Sequence, residues 1–352
     1  MNLKVKKIRI GMVGCGQIMP STADGILSSK HCEMSCLFDI DSDILTERAT
    51  AYHVKTESDF WQFIARDDID AIYLAVPHAL HAPLAVESIR AGKHVMIEKP
   101  LATNINDAKM ILDESKKAKV KVGVAMAMRF DGRVELTKKL IEDGVIGSIT
   151  NTRAHAIGYK DKNYWSNGVG GEAKRSAWRA YKGMAGGGIL IMNAVHNLDA
   201  MYYMTGLKPV EVMSMGGSFN VPAAVENAIS VLIRYDKNNS YGVCEAMSSA
   251  FGASHTDDST AIYGTKGTIK FSELGIDLFT SNDSSGYETN KWVNLAVENV
   301  DIRAALMDDF ALAIINGTSP RINAEEGLLI VDMICSAYKS LESGSVEKLA
   351  QT

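Results

Sequence analysis

Lys99 stands in the stretch Gly92–Pro100, GKHVMIEKP, just past the short apolar, β-branched run His94–Ile97. Such a run after a glycine reads as a buried parallel strand. Pro100 cannot donate to a sheet ladder and ends it. A lysine at the carboxyl end of a buried strand lies where open α/β sheets hold their ligands. Desolvation there lowers an ammonium's pKa and readies it to move a proton. Taken alone, a Lys–Pro pair reads more readily as a solvated turn, so the rest of the chain must decide.

A second group with chemical meaning is Gly14-Cys15-Gly16-Gln17-Ile18-Met19, directly after the alternating strand Ile8–Val13. Two glycines permit a tight turn and a close approach of backbone N–H groups to a pyrophosphate, and the helix that follows points its positive end at the same anion. Pro20 falls in the first helical turn, where proline is tolerated. Met19 stands where the dinucleotide fingerprint has its third glycine, so a plain strand-turn-helix is the competing reading. The next strand, Met34–Phe38, ends at Asp39. An acid there accepts hydrogen bonds from both ribose hydroxyls of NAD and repels the 2′-phosphate of NADP. Asp41 and Asp43 keep a simple turn-capping role open for it. Together the turn and Asp39 favour NAD over NADP.

The third group is Gly186-Gly187-Gly188 followed by a segment of helical apolar spacing that carries Met192, Asn193 and His196 on one face, with Asp199 beyond. Glycine runs allow unusual dihedrals or contact with a flat ligand. A histidine titrates near neutrality and can take a hydroxyl proton, although a lone helical histidine is more often structural. The loop Ser166–Ala185, with Lys174, Arg175, Trp178 and Arg179, is either a substrate rim or a surface excursion.

These groups need elements to position them. Strands and helices alternate through the first third of the chain. After Ile8–Val13 and Met34–Phe38 come helices near Ser42–Tyr52 and Ser58–Arg66, the strand Ile69–Val76, a helix from Pro83 to Ala91, the strand His94–Ile97, a helix capped by Asn104 and the strand Val120–Val124. This predicts a doubly wound parallel sheet. Past the helix Val134–Asp143, longer alternating runs, among them Ile149–Ile157, Val210–Ser218, Ala228–Tyr235, Tyr241–Ser249, Ser259–Tyr263 and Thr268–Phe271, predict a largely antiparallel sheet. Thr280–Asn290 reads as a hairpin loop, and helices Ile302–Asn316 and Ala324–Ser343 close the chain. With 352 residues, two domains are expected, 1–125 and 126–352. A net charge of -5 and a pI near 5.9 give no reason to expect nucleic acid or an anionic membrane as partner. The lysines near the start run into the first strand with no cleavage pattern, so no signal peptide is read. Five scattered cysteines without CxxC or zinc spacing read as reduced cytoplasmic thiols, with no metal site.

The ensemble resembles the Gfo/Idh/MocA oxidoreductases. The marks are GMVGCGQI, AVPHALHAPLAVESIRAGKHVMIEKPLA, Ala127-Met128-Arg129-Phe130, the triple glycine leading to His196, and DFALAIINGTSP. The resemblance implies a Rossmann domain (the doubly wound parallel sheet) plus an α+β domain with an open, mostly antiparallel sheet. It also implies NAD(P), a carbohydrate or cyclitol substrate, and homodimers or homotetramers formed through that sheet. It assigns Gly14, Gly16, Gln17 and Ile18 to the pyrophosphate turn and Asp39 to the ribose. Pro77, His78 and His81 would line the cofactor, although the family usually has Asn where His78 stands. Glu98 joins the cofactor set. Lys99, at a peptide bond to Pro100 that is often cis in relatives, contacts the nicotinamide ribose and the reacting hydroxyl, and His196 is the catalytic base. Relatives commonly carry Asp four residues before that histidine, where this chain has Met192. Either His196 acts with Lys99 alone, or the chemistry is altered.

The expected activity is therefore NAD-dependent hydride transfer at a secondary alcohol, with His196 and Lys99 catalytic and Arg129, Trp178, Arg179 and Asn193 as further substrate contacts. Two alternatives are kept: cleavage of a glycosidic bond with transient use of NAD, and a non-catalytic nucleotide-binding regulator.

Overall fold

In a computed structural model of the chain, residues 7–166, 177–219, 223–252 and 260–350 are described. Lys174, Arg175 and Ser259 lie outside them. By their internal contacts the residues separate into two units, Met1–Ala127 with Asp301–Val331, and Met128–Val300 with Asp332–Thr352.

The first unit is built from strand–helix repeats. Its strands are β1 (Ile8–Val13), β2 (Cys32–Phe38), β3 (Lys55–Glu57), β4 (Ala71–Leu74), β5 (His94–Ile97) and β6 (Val122–Val124). They pair in the order β3-β2-β1-β4-β5-β6, every pairing parallel. This order reverses beside β1, which leaves a crevice at the strand ends of β1 and β4. The fully buried runs of β4 and the last residues of β5 are what a sheet covered on both faces requires. The connecting helices are α1 (Met19–Ser28), α2 (Ser42–Tyr52), α3 (Phe60–Ala65), α4 (His81–Arg90) and α5 (Ile105–Ala118). Asp41, Asp59 and Asn104 cap α2, α3 and α5 by accepting backbone N–H groups, as their residue types allow.

The second unit holds α6 (Gly132–Glu142), β7 (Ile149–Ile157), α7 (Lys162–Ser166), α8 (Lys182–Ala185), α9 (Val195–Thr205), β8 (Pro209–Gly217), β9 (Ala228–Tyr235) and β10 (Tyr241–Met247). After these come β11 (Ala261–Gly264), β12 (Gly267–Phe271), β13 (Gly275–Thr280) and β14 (Trp292–Ala296). Its nine-stranded sheet runs β14-β13-β12-β11-β7-β10-β9-β8-β15, where β15 is Glu347–Lys348. All neighbours are antiparallel except β7 and β10. On β9, Ile229, Val231, Ile233 and Tyr235 are buried while Ser230, Leu232 and Arg234 are exposed. The alternation in the sequence is therefore an inside–outside alternation.

A single cut near Met126 does not describe this division. The helix α10 (Ile302–Asn316) returns to the first unit. A side chain on Gly25 of α1 would stand 2.6 Å from Arg303 Cβ. The Ser29 hydroxyl donates to Asp308 at 2.6 Å, and Val124 N–H donates to Ile322 at 3.1 Å. The helix α11 (Ala324–Ser343) begins in the first unit and ends in the second, and β15 completes the large sheet against β8. Such a return depends on long-range contacts and leaves no local mark in the sequence. Cys32 and Cys36 both lie on β2 as free thiols, like Cys15, Cys244 and Cys335. Among the described residues no helix is long and apolar enough to cross a membrane.

Candidate active site

In the first unit the glycine turn is locked against two strand ends. Gly14 adopts a φ of +98°, and a Cβ there would lie 2.4 Å from the Ala75 carbonyl oxygen, so only glycine fits. Its N–H donates to Phe38 at 2.9 Å. Cys15 N–H donates to Asp39 Oδ2 at 2.7 Å, and Asp41 N–H donates to Asp39 Oδ1 at 2.9 Å. A Cβ on Gly16 would meet nothing within 4 Å, so the turn is open where a ligand could reach its backbone. Gln17 and Ile18 are half-buried beside it, at the start of α1. Met19 is fully buried. The side chain that replaces the third fingerprint glycine thus packs into the core and leaves the turn intact. The donor set, a bare glycine turn at a helix N-terminus with a carboxylate held at the end of β2, fits a dinucleotide.

Lys99 is half-buried at the carboxyl end of β5, and its bond to Pro100 is cis. Glu98 faces inward. Its Oε1 accepts the Tyr73 hydroxyl at 2.7 Å and lies 3.7 Å from the Arg303 guanidinium, and its Oε2 accepts Lys99 N–H at 3.3 Å. His81 is fully buried, with Nδ1 2.7 Å from the Pro100 carbonyl oxygen and Nε2 3.1 Å from that of Val76. Burial pulls its pKa down, against the two carbonyls, which pull it up. His78 is buried as well, its ring 5.6 Å from that of His81, and Pro77 is half-buried. Glu98 and His81, expected among the cofactor contacts, each hydrogen-bond to polar groups of the fold around Lys99.

In the second unit the glycine run leads into a π-helical turn, Leu190–Ala194, and then α9. A π-turn widens the spacing, so the shared face expected for Met192, Asn193 and His196 is not that of a regular α-helix. Met192 is buried and Asn193 and His196 are half-buried. Tyr164 of α7 touches the first two. Its hydroxyl donates to Asn193 Oδ1 at 3.1 Å and lies 3.7 Å from Met192 Sδ. The Arg179 guanidinium lies 5.1 Å from the centre of the Tyr164 ring and 5.0 Å from that of Trp178. Burial pulls the Arg179 pKa down, opposed by Tyr164, and pushes the Tyr164 phenol up, opposed by Arg179. Asn193, Trp178 and Arg179 are thus gathered around Tyr164, a residue that sequence reading missed. Its only signal was an aromatic pair, Tyr164-Trp165, at the edge of the polar loop.

Arg129 requires correction. It is 0% exposed, donating to both carboxylate oxygens of Asp199 at 2.8 and 2.6 Å, with its guanidinium over the Tyr203 ring. It ties the segment after β6 to α9 and presents no surface to a substrate.

Residues 8–126 match the model of the oxidoreductase family with an NAD-binding Rossmann fold, and residues 134–270 match the Gfo/Idh/MocA C-terminal domain. The chain belongs to the Gfo/Idh/MocA oxidoreductase family. Within that family it is 23% identical to a D-xylose 1-dehydrogenase [NADP(+)] of Haloarcula marismortui, over 97% of this chain and 93% of that one. It is 24% identical to a myo-inositol 2-dehydrogenase of Thermotoga maritima, over 98% and 99%. A solved levoglucosan dehydrogenase in complex with NADH superposes with a TM-score of 0.87 at 22% identity, over 99% of this chain and 100% of that one. The Gfo/Idh/MocA fold is thereby shared along the whole length.

Proposed function

We propose that the chain is a dehydrogenase or reductase that prefers NAD to NADP and acts on a secondary alcohol or ketone of a sugar, sugar derivative or cyclitol. Gly14, Gly16, Gln17 and Ile18 would hold the pyrophosphate and Asp39 the adenosine ribose. Bound there, the nicotinamide supplies a hydride acceptor or donor. His196 takes the hydroxyl proton as general base. Lys99 counters the negative charge that develops on the substrate oxygen. Asn193, Trp178 and Arg179 bind substrate hydroxyls or charge, and Tyr164 joins them. The observation that carries the cofactor choice is the Asp39 carboxylate, fixed by Cys15 and Asp41 at the end of β2. The relatives' names, xylose and inositol dehydrogenases, support the substrate class.

The test is a screen of purified protein with NAD or NADP and a panel of aldoses, sugar acids, anhydrosugars, glycosides and inositols, followed by reduced-nicotinamide absorbance. Turnover with NAD supports the whole reading, and a preference for NADP overturns the role of Asp39. Bound NAD with no turnover on any member of the panel overturns the dehydrogenase reading.

We further propose that two or four copies assemble through the outer face of the large sheet, and that the protein works in the cytoplasm without nucleic acid or membrane partners. The assembly reading is supported by Met213 and Leu232, opposite each other on β8 and β9 and exposed, with Met215 nearby at 73% exposure. Free thiols at all five cysteines suit a reducing compartment. Light scattering of wild type and Leu232→Asp tests the assembly. An unchanged mass would remove this face from it.

A further inference from the structure

The helix that carries His196 starts in an unusual way. The first N–H groups of a helix have no intrahelical partner. Here four consecutive ones, from Gly188 to Ile191, are all taken by two residues far away in sequence. Gly188 N–H donates to Glu226 Oε2 at 2.7 Å, and Leu190 N–H donates to Glu226 Oε1 at 3.0 Å. Between them, Ile189 N–H donates to the Glu226 carbonyl oxygen at 3.0 Å. Ile191 N–H donates to the Tyr338 hydroxyl at 3.3 Å, and that hydroxyl donates to Glu226 Oε1 at 2.9 Å.

This clamp also explains the glycines. A Cβ on Gly187 would lie 2.2 Å from the Tyr338 hydroxyl oxygen, and one on Gly188 would lie 1.7 Å from the Glu226 carbonyl oxygen. Gly187 and Gly188 are therefore needed by the clamp itself, while Gly186, at a φ of +83°, ends α8. Among the described residues, every hydrogen bond to the Glu226 carboxylate comes from an N–H or O–H donor, which is the pattern of an ionised group. It puts a buried negative charge, with the residue 7% exposed, at the positive end of the helix. The π-turn Leu190–Ala194 begins within the clamped residues, and His196 is the second residue after it.

We propose that Glu226, with Tyr338, is the positioning device for His196. It sets the rotation and depth of the helix start, and its charge raises the proton affinity of the imidazole further along. This rests on the reading of His196 as the general base, but neither Glu226 nor Tyr338 touches reacting atoms in it. Gln at 226 keeps the volume and loses the charge, and its amide group must turn an N–H toward groups that are themselves donors.

The experiment uses the full chain, as wild type, Glu226→Gln and Tyr338→Phe, with the His196 imidazole followed through pH by NMR and assigned with His196→Asn. Seven residues of helix rise place the charge about 10 Å away, so its loss should lower the His196 midpoint by about half a pH unit. Tyr338→Phe should move it the same way by less, and stands as the measurement if Glu226→Gln does not fold. With a sugar that wild type oxidises, Glu226→Gln should lower kcat by roughly 10–100-fold and raise the sugar KM. NAD affinity should stay within about twofold, since the cofactor is assigned to the other unit. A His196 titration unchanged in both variants overturns the proposal. So does an activity loss that only tracks the folded fraction. If wild type oxidises no sugar, the functional reading fails by itself, and the titration still decides this one.

Discussion

Cys15 gives its backbone N–H to the Asp39 carboxylate at 2.7 Å, which joins the glycine turn after β1 to the end of β2 before any ligand arrives. The acid is thus both a structural cross-link and the proposed ribose ligand. Hydrogen bonds to a charged group contribute about 1.5–3 kcal/mol, so Asp39→Ala should raise the NAD KM by roughly 10–100-fold. The same change removes the repulsion of a 2′-phosphate, and the NADP KM should rise much less. Steady-state kinetics with both cofactors decides. Equal losses for NAD and NADP would mean that the residue only braces the turn.

Arg129 and Asp199 form a buried, two-pronged ion pair, and breaking one side leaves the other charge stranded. Arg129→Gln should therefore cost about 3–5 kcal/mol of stability, and replacing both partners by apolar residues of similar size should restore much of it. Urea unfolding measures this. A variant of normal stability with a raised sugar KM would return Arg129 to the substrate contacts.

His94 accepts the Lys121 N–H through Nδ1 at 2.9 Å, so the fold holds its imidazole neutral. Burial lowers its pKa, and Lys121 lowers it further. The buried His81 is lowered too, again by burial first. A histidine with a lowered folded pKa binds its proton more readily when unfolded, so the unfolded chain gains protons first as pH falls. The stability these two residues contribute is complete above about pH 6.5, the unfolded value, and is lost on acidification below it. Melting temperatures measured from pH 8 to pH 5 should fall over the acid half. His94→Asn keeps an acceptor for Lys121 but does not titrate, and it should flatten part of that slope. A slope identical to wild type would exclude His94 as a source.

Much of this was legible in the sequence for a physical reason. Periodicity and glycine placement are local, and they marked β1, the turn at Gly14, β5 with Lys99, and the alternation of β9. What was not legible depends on partners distant in the chain. Nothing around Glu226 marks it as the cap of a helix that begins nearly forty residues earlier. Arg129 read as a substrate cation because its partner Asp199 could not be known. Glu98 and His81 sit inside motif stretches, but their internal partners, Tyr73, Arg303 and the Pro100 carbonyl, could not be read from those stretches. The short strands β13 and β14 escaped because only their pairing defines them.

His196 bears the central chemical assignment, and its test separates chemistry from architecture. His196→Asn keeps a half-buried polar side chain of similar size but cannot take a proton near neutrality. Turnover should fall by roughly 10²–10⁴, the usual contribution of a general base. NAD affinity should hold, and the acid limb of the kcat/KM profile should vanish with the group that titrates there. Lys99→Ala should also reduce turnover far more than NAD affinity, yet leave that acid limb in place. Near wild-type turnover in His196→Asn would remove the histidine from the mechanism. Survival of the acid limb in that variant would assign the proton to another group, with Tyr164 and Lys99 the next residues to replace.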